Sequence, residues 1–510
     1  MPLQRGGAPE IESASHAVCA GAQARTIKGE GAMQGRRKRT ATTEAEPLPD
    51  PPRPSIRRAD LPPGPSELPL VGQAFRLRSD LIGLLQDAAA CGDVSTVSVR
   101  PVLICLVNHP ELNREVLVTS RRKARRGSAA FEPMRWMLGN GLTVSTGAFH
   151  LRQRRVMQPR FHRRFIEKYA ESMTEISSRT SLRWQDGAKV DMEHEMRELT
   201  LRIVAKTLFG IEMSDVVRRV GESFAEANRY MYLRLTQPPF ARRLFHGLPL
   251  PSSRRFKAAR AYLDDFMYGS IRERRESGAE GDDLLSMLLQ TRYEDAESEG
   301  DGGMSDELMR DEAASLYIAG HDSTATTLAY AFHLLSRNPE VEQRFHAELD
   351  DVLGERDATI NDLPDLPLTE QIVAETLRLF PPLWGLGRMV FEPMELGGYT
   401  IPPGVTVMIA PFITQRDPRW FDDPLAFRPE RWTAGFRREL PRFAYFPFGG
   451  GEHQCIGEGF AGMEAKIALA TLCRRWRAVA LGNAEVVPQI TLKAKGGMPM
   501  LLERRRNRPD

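Results

Sequence analysis

Cys455 sits in the string Phe448-Gly449-Gly450-Gly451-Glu452-His453-Gln454-Cys455-Ile456-Gly457. Three consecutive glycines let a backbone turn tightly and approach a flat ligand closely. Periodicity predicts a helix over 457–476, so the cysteine stands just before a helix N-terminus. There, backbone N–H groups and the helix dipole favour negative charge on sulfur. Hydrogen bonds to such a sulfur also tune a bound metal. The same string suits a small buried cysteine beside a glycine-rich turn, and the loop alone does not separate the two.

Other groups could serve such a site. Ala319-Gly320-His321-Asp322-Ser323-Thr324 falls in the middle of a predicted helix over 305–337, where glycine, acid and hydroxyls all run against helix propensity. Gly320 opens space on one face, Thr324 is four residues on, and Asp322 could relay protons. An incidental polar patch would look the same. Glu375 and Arg378 share a helical face, and with Arg431 they could form an arginine–carboxylate–arginine lock. His150 and Arg154, four apart, join Arg388 and His453 as groups suited to carboxylates. Arg121, Arg122, Lys123, Arg125 and Arg126 read as a solvated surface or a face for docking an acidic partner.

The elements that must hold these groups are mostly helical. Periodic segments cover 80–91, 150–180, 191–210, 213–235, 253–277, 282–292, 305–337, 339–353, 368–380 and 457–476. Shorter strand-like pieces lie at 94–99, 102–107, 387–391 and 405–409. Ser305 is a capping residue, and Asn338-Pro339 should end one helix and open the next. A chain of 510 residues would suggest several domains, yet after the proline-rich join at 47–65 no comparable linker appears. Residues 1–46 are expected to be a disordered tail.

With 41% hydrophobic and 27% charged residues, the composition is that of a soluble globular protein and excludes a collagen-like or wholly disordered chain. A net charge of +3 gives no field that would recruit nucleic acid. No long apolar run or secretory leader is seen, so no stable membrane anchor and a cytoplasmic location are expected. The five cysteines (Cys19, Cys91, Cys105, Cys455, Cys473) form no C-x-x-C pair. Being odd in number, they leave at least one thiol free in a monomer, which is the expected state.

Together these pieces resemble the cytochrome P-450 superfamily of haem-thiolate monooxygenases, of the soluble bacterial type. The resemblance runs from Leu61-Pro62-Pro63-Gly64-Pro65 to the C-terminal strands, and Phe448 to Gly457 matches the haem loop F-x-x-G-x-x-x-C-x-G. It implies a mostly α fold with small β-sheets over residues 60–505. A single large domain would enclose haem b (iron protoporphyrin IX) between a long central helix and the cysteine loop. Cys455 would be the axial iron ligand, which favours O–O cleavage. Asp322 and Thr324 would supply protons for O2 activation. His150, Arg154, Arg388 and His453 would hold the propionates, with Phe448, Gly449 and Gly457 shaping the loop. Glu375, Arg378 and Arg431 would be the structural triad.

Some residues depart from the family's usual ones. His453, His150, Gln415 and Ser323 stand where many members have Arg, Trp, His and Thr, and Gln415 receives no role. The segment after Cys455 is too short for a flavin or iron–sulfur domain, so a separate ferredoxin and ferredoxin reductase are expected. They would dock near Arg152, Arg155 and Arg160. The expected reaction inserts one atom of O2 into a hydrophobic small molecule: a terpenoid or polyketide, with fatty acids next. Segments near 128–145, 225–250, 312–320, 383–389 and 496–499 would line the pocket, through Phe131, Met134, Trp136, Met137, Leu138, Tyr230, Met231, Tyr232, Phe240, Leu316, Leu383, Trp384, Leu386 and Met498. A haem-thiolate peroxygenase or isomerase, a non-catalytic haem-binding module, and a structural or nucleic-acid-binding protein are the alternatives.

Overall fold

The punctuation around 305 and 338 works as its chemistry implies. The Ser305 hydroxyl accepts the Leu308 N–H at 3.2 Å, the helix runs 32 residues to Arg337, and Pro339 opens the next one. The structure is a computed structural model that describes residues 61–505 apart from 69–71, 100–101, 212–214, 236, 238–243, 279–282 and 291–302. All of these belong to one unit of the chain, residues 45–510. The expected tail at 1–46, the join up to residue 60, Cys19 and Phe240 lie outside the described residues.

Helices longer than eight residues are α1 (Leu81–Ala90), α2 (Ser128–Leu138), α3 (Gly147–Met157), α4 (Ala170–Arg183), α5 (Met192–Phe209), α6 (Asp215–Leu235), α7 (Pro251–Ser277), α8 (Asp306–Arg337), α9 (Pro339–Leu353), α10 (Pro367–Leu379) and α11 (Glu458–Arg475). The largest sheet has the order β1 (Val94–Val99), β2 (Val102–Val107), β8 (Thr406–Ile409), β5 (Leu386–Val390), β3 (Ala124–Arg125). Its β1–β2 hairpin is antiparallel, with Val97 opposite Ile104, and β2 runs parallel to β8. A second sheet joins β4 (Lys189–Asp191), β12 (Pro499–Arg504) and β9 (Trp476–Ala480), and β10 (Val486–Pro488) pairs with β11 (Leu492–Ala494). A hairpin of β6 (Met394–Leu396) and β7 (Tyr399–Ile401) completes the set among the described residues.

Helix α8 packs against α2, α5, α7, α9, α10, α11 and β9, which explains why it is buried on nearly every side and carries no single apolar stripe. Leu328, Ala329, Tyr330 and Ala331 are all wholly buried in the core it shares with α10 and α11. Truncating Leu328 to alanine there would cost about 2–5 kcal/mol.

The helix expected over 150–180 is not continuous. Helix α3 ends at Met157, a 3-10 turn covers Gln158–Phe161, two short turns follow, and α4 begins at Ala170. Pro159 has no N–H to continue the ladder, and its ring crowds the preceding turn. The helix expected over 282–292 is only Leu284–Leu289. The strands of the smaller sheets run three to six residues, too short for alternation to announce most of them.

Candidate active site

The cysteine loop is held from within and from α3. The Cys455 N–H donates to the Phe448 carbonyl at 3.0 Å, and the Gly449 N–H to Phe446 at 2.9 Å. Gly449 and Gly451 adopt φ of 72° and 71°, conformations that side chains disfavour. A Cβ on Gly451 would also lie 2.1 Å from the Leu117 carbonyl oxygen. His150 and Arg154 grip the same loop: His150 Nε2 is 3.0 Å from the Glu452 carbonyl oxygen, and Arg154 donates to the carbonyls of Glu452 and Gln454. The other ring nitrogen of His150 is 3.2 Å from Ser145 Oγ. Both nitrogens thus have protein partners, and burial foremost pushes the His150 pKa down to about 4.

Cys455, two residues before the helix N-cap at Gly457, opens onto free space on one side while protein crowds it closely on the others. The protein surrounding it raises the thiol's pKa. Burial acts first, the Gly457 N–H and the Arg154 guanidinium oppose it, and Glu458 adds to it. The thiolate expected from the helix end is therefore not favoured by the chain alone; a coordinating metal deprotonates a thiol outright.

Cationic groups gather beside the loop with little to balance them. Arg388 is buried, and its pKa falls to about 10, through burial first. Arg126 falls to about 9, from burial and then from the charge of Arg388. The His453 ring lies 4.1 Å from that of His150, its Nδ1 is buried without a partner, and burial with Arg126 and Arg388 drives its pKa far down. Arg126 Nε is likewise unpartnered. Glu452 is the carboxylate whose charge supports Arg126 and Arg388. Arg126 corrects the sequence reading: Arg121, Arg122, Lys123 and Arg125 are exposed as expected, but Arg126 turns inward and donates to the Thr143 carbonyl at 2.7 Å. A basic run gives no signal of which member does so.

Helix α8 is buried at every residue from Met309 to Phe332 except Ile318, Ala319, Gly320 and Ser323. Ala319 and Ser323 are four apart and share a face, so the helix is open at one place halfway along an otherwise buried stretch. Gly320 faces α5, where a Cβ would come 3.0 Å from Val204. Thr324 is buried, bonds its own helix at the Gly320 carbonyl at 3.4 Å, and faces Glu464 of α11. The Thr324 hydroxyl lies outside good hydrogen-bond geometry to Glu464, so both carboxyl oxygens of Glu464 lack a partner. The hydroxyl at the opening belongs instead to Ser323, which donates to the Ala319 carbonyl at 2.8 Å.

Asp322 is bound to groups the sequence reading did not connect with it. Lys493 Nζ donates to its Oδ1 at 2.5 Å, the Thr491 hydroxyl donates to Oδ2 at 2.5 Å, and Arg197 Nε is 3.7 Å away. Burial works to raise its pKa, but Lys493, His321 and the hydrogen bonds outweigh that and hold it well below the usual carboxylate range.

The lock at Glu375 forms as its residue types suggest. Glu375, wholly buried, accepts from Arg378 Nε and Nη2 at 2.8 Å each, from Arg431 Nε at 3.0 Å and from the Trp432 indole at 2.9 Å. Arg378 also donates to the carbonyls of Gln415, Pro424 and Ala426. Gln415, without a role in the sequence, ties the end of α10 to the approach of the cysteine loop through the Leu377 and Arg378 carbonyls and the Phe446 N–H.

These residues fit a haem. Among the described residues no cluster of three or more His, Cys, Asp or Glu could hold a metal ion, so a metal at Cys455 must bring its remaining ligands with it, as a porphyrin does. Arg126 and Arg388, which share a single carboxylate in Glu452, suit two propionates together with the orphaned His453 nitrogen. The family model for cytochrome P450 matches residues 62–497. The chain is 36% identical to a cyclooctat-9-en-7-ol 5-monooxygenase of Streptomyces melanosporofaciens, over 81% of this chain and 88% of that protein. It is 34% identical to a pentalenene oxygenase of Streptomyces avermitilis, over 83% and 92% of the two chains. The crystal structure of the cytochrome P450DA heme domain superposes with a TM-score of 0.77 at 25% identity, covering 91% of this chain and 98% of that one. The likeness takes in the open helix, the lock at Glu375 and the cysteine loop alike, and the chain belongs to the cytochrome P450 family, as a haem monooxygenase.

Proposed function

We propose that the protein oxygenates a terpenoid, inserting one atom of O2 into a C–H or C=C bond with electrons from a separate ferredoxin and its reductase. The observation that carries the terpenoid reading is the identity shared along most of the chain with proteins named as a cyclooctatenol monooxygenase and a pentalenene oxygenase. An apolar cluster agrees with it: Met137, Leu138, Tyr230, Met231 and Leu316 are buried together, with Phe131, Met134 and Trp136 at its edge. Trp384, Leu386 and Met498 belong to other clusters, and Leu383 is exposed, so the substrate wall centres on α2, α6 and α8.

When bound, the haem supplies the O2 chemistry, which a thiolate ligand favours. Cys455 would hold the iron, His150 and Arg154 keep the loop in shape through its carbonyls, and Arg126, Arg388 and His453 would pair with the propionates. Ser323 presents the hydroxyl that passes protons at the opening of α8. Asp322 anchors β11 to α8 through Lys493 and carries no proton while that pair is closed. Exposed Arg121, Arg122, Lys123, Arg125 and Arg155 offer an acidic ferredoxin its docking charge. No helix of the described residues is long and apolar enough to cross a membrane.

The test is a spectral titration of the purified holoprotein with terpene, fatty-acid and macrolide panels, followed by turnover with a surrogate ferredoxin and reductase. A spin-state shift and an oxygenated product with a terpenoid are expected. A response confined to fatty acids or macrolides overturns the substrate reading, and turnover with peroxide but not with O2 and reductant overturns the reaction.

A further inference from the structure

Three successive residues of α8 reach across to the end of α2 and the loop after it. Arg310 Nη1 donates to the Met137 carbonyl at 2.7 Å. Asp311 Oδ2 accepts the Asn140 N–H at 2.7 Å, and Glu312 Oε2 accepts the Leu142 N–H at 2.8 Å. Arg310, Asp311 and Glu312 are 2%, 5% and 0% exposed. Arg310 also binds Asp311 at 3.0 Å and Asp264 of α7 at 2.6 Å, so its charge is balanced and its direction fixed from two sides.

The loop is shaped to be gripped in this way. Gly139 has φ 52°, and a Cβ there would lie 2.0 Å from Asp311 Oδ2. A Cβ on Gly141 would lie 2.1 Å from Ser315 Oγ. Packing of apolar side chains could hold a helix end against α8 at lower cost, because burying carboxyl groups is unfavourable. What hydrogen bonds to three separate backbone groups add is direction: they fix both the height and the rotation of the segment relative to α8. Among the described residues Glu312 has no cation to balance it, and one of its oxygens is unpartnered. Burial foremost raises its pKa to about 8, so it stays a neutral acid at neutral pH.

Glu312, Leu316, Ala319 and Ser323 lie at i, i+4, i+7 and i+11, on one face of α8. At 1.5 Å per residue, Glu312 stands about 10 Å along the axis from Ala319. The Glu312 part of the grip is therefore on the same side as the opening, and it holds the segment that follows Phe131, Met134 and Trp136.

We propose that Arg310, Asp311 and Glu312 are a clamp that sets the substrate-facing wall of α2, and that Glu312 is a positioning residue deciding how substrate is presented at the opening of α8. The proposal rests on the substrate wall assigned above. Glu312 touches the backbone at Leu142 and acts through the segment it holds.

The experiment compares Glu312→Leu and Glu312→Gln with the wild-type holoprotein. Gln keeps an acceptor for the Leu142 N–H; Leu removes it. Glu312→Leu is expected to speed amide exchange at Asn140 and Leu142, weaken the substrate-induced spin-state shift about tenfold and change the ratio of oxygenated products, with haem content unchanged. Glu312→Gln is expected to restore all three. If Glu312→Leu does not fold, Gly141→Ala, which pushes the loop away from Ser315, is expected to change the same readouts. Unchanged exchange overturns the clamp. Faster exchange with unchanged substrate affinity and product ratio overturns the positioning role. Amide exchange reads the clamp without substrate, so a wild-type protein that ignores every terpenoid would sink the substrate reading and leave the clamp standing or falling on its own result.

Discussion

The side-chain oxygen of Gln415 accepts the Phe446 N–H at 2.9 Å. Its amide nitrogen donates to the carbonyls of Leu377 and Arg378, at 3.0 and 3.1 Å, at the end of the helix that carries Glu375. One neutral side chain thus connects the charged lock to the segment that leads into Phe448 and Cys455.

Gln415→Ala removes both connections and leaves the buried Phe446 N–H without its partner. Each buried group left unsatisfied costs about 1–3 kcal/mol. The expected outcome is a lower denaturation midpoint together with weaker haem retention, measured by the haem-to-protein ratio after gel filtration. Full haem retention would mean that the loop does not depend on this link.

Glu375→Gln should be more damaging than an ordinary surface change. Arg378 is wholly buried, and Glu375 is the carboxylate that meets both it and Arg431. Breaking a buried pair by removing one partner costs about 3–5 kcal/mol. Urea unfolding should show a loss of that size or no soluble holoprotein; a loss under 1 kcal/mol would contradict the buried geometry.

Ser323→Ala and Thr324→Ala should behave differently although the residues are neighbours. Ser323 lies at the opening of α8, and Thr324 faces α11. Ser323→Ala is expected to keep the ferrous–CO band and divert reducing equivalents to peroxide and water, lowering product per NADH several-fold. Thr324→Ala is expected to retain most of the coupling. The reverse pattern would assign the proton-delivering hydroxyl to Thr324.

Glu464 and Glu312 give stability a definite pH slope. Burial first raises each carboxyl from its ordinary 4.5 to about 8, so each holds its proton more tightly folded than unfolded. Folding therefore takes up protons between those values, and stability falls as pH rises from about 4.5 to about 8. Glu464→Gln cannot ionise, so its stability relative to wild type should rise across that window. Denaturation of both at pH 5.5 and pH 8 measures it, and a constant difference would mean that Glu464 is charged throughout.

Much of the architecture was legible because its signals are local. The β1–β2 hairpin at Val94–Val99 and Val102–Val107, the cap at Ser305 and the stop at Asn338-Pro339 each rest on a few neighbouring residues. The cysteine loop is local too: its glycines, its cysteine and the following helix lie within one short string. Pro159 carried a local signal as well, but the apolar period on either side of it masked the break.

The sequence by itself pointed to the family, to Cys455 as the candidate ligand for a haem iron and to a pairing of Glu375 with Arg378, since all three are matters of residue type at short spacing. Only the tertiary structure decided which way side chains turn. Helical periodicity says that Ser323 and Thr324 differ by about 100° in direction. It cannot say which of them meets an opening when α8 is covered on nearly every side by helices distant in sequence. The same holds for Arg126, drawn in beside Arg388, for Asp322, closed by Lys493, and for Glu312, buried against Leu142. In each case the partner comes from a remote segment, and its approach is a property of packing that no window of the chain contains.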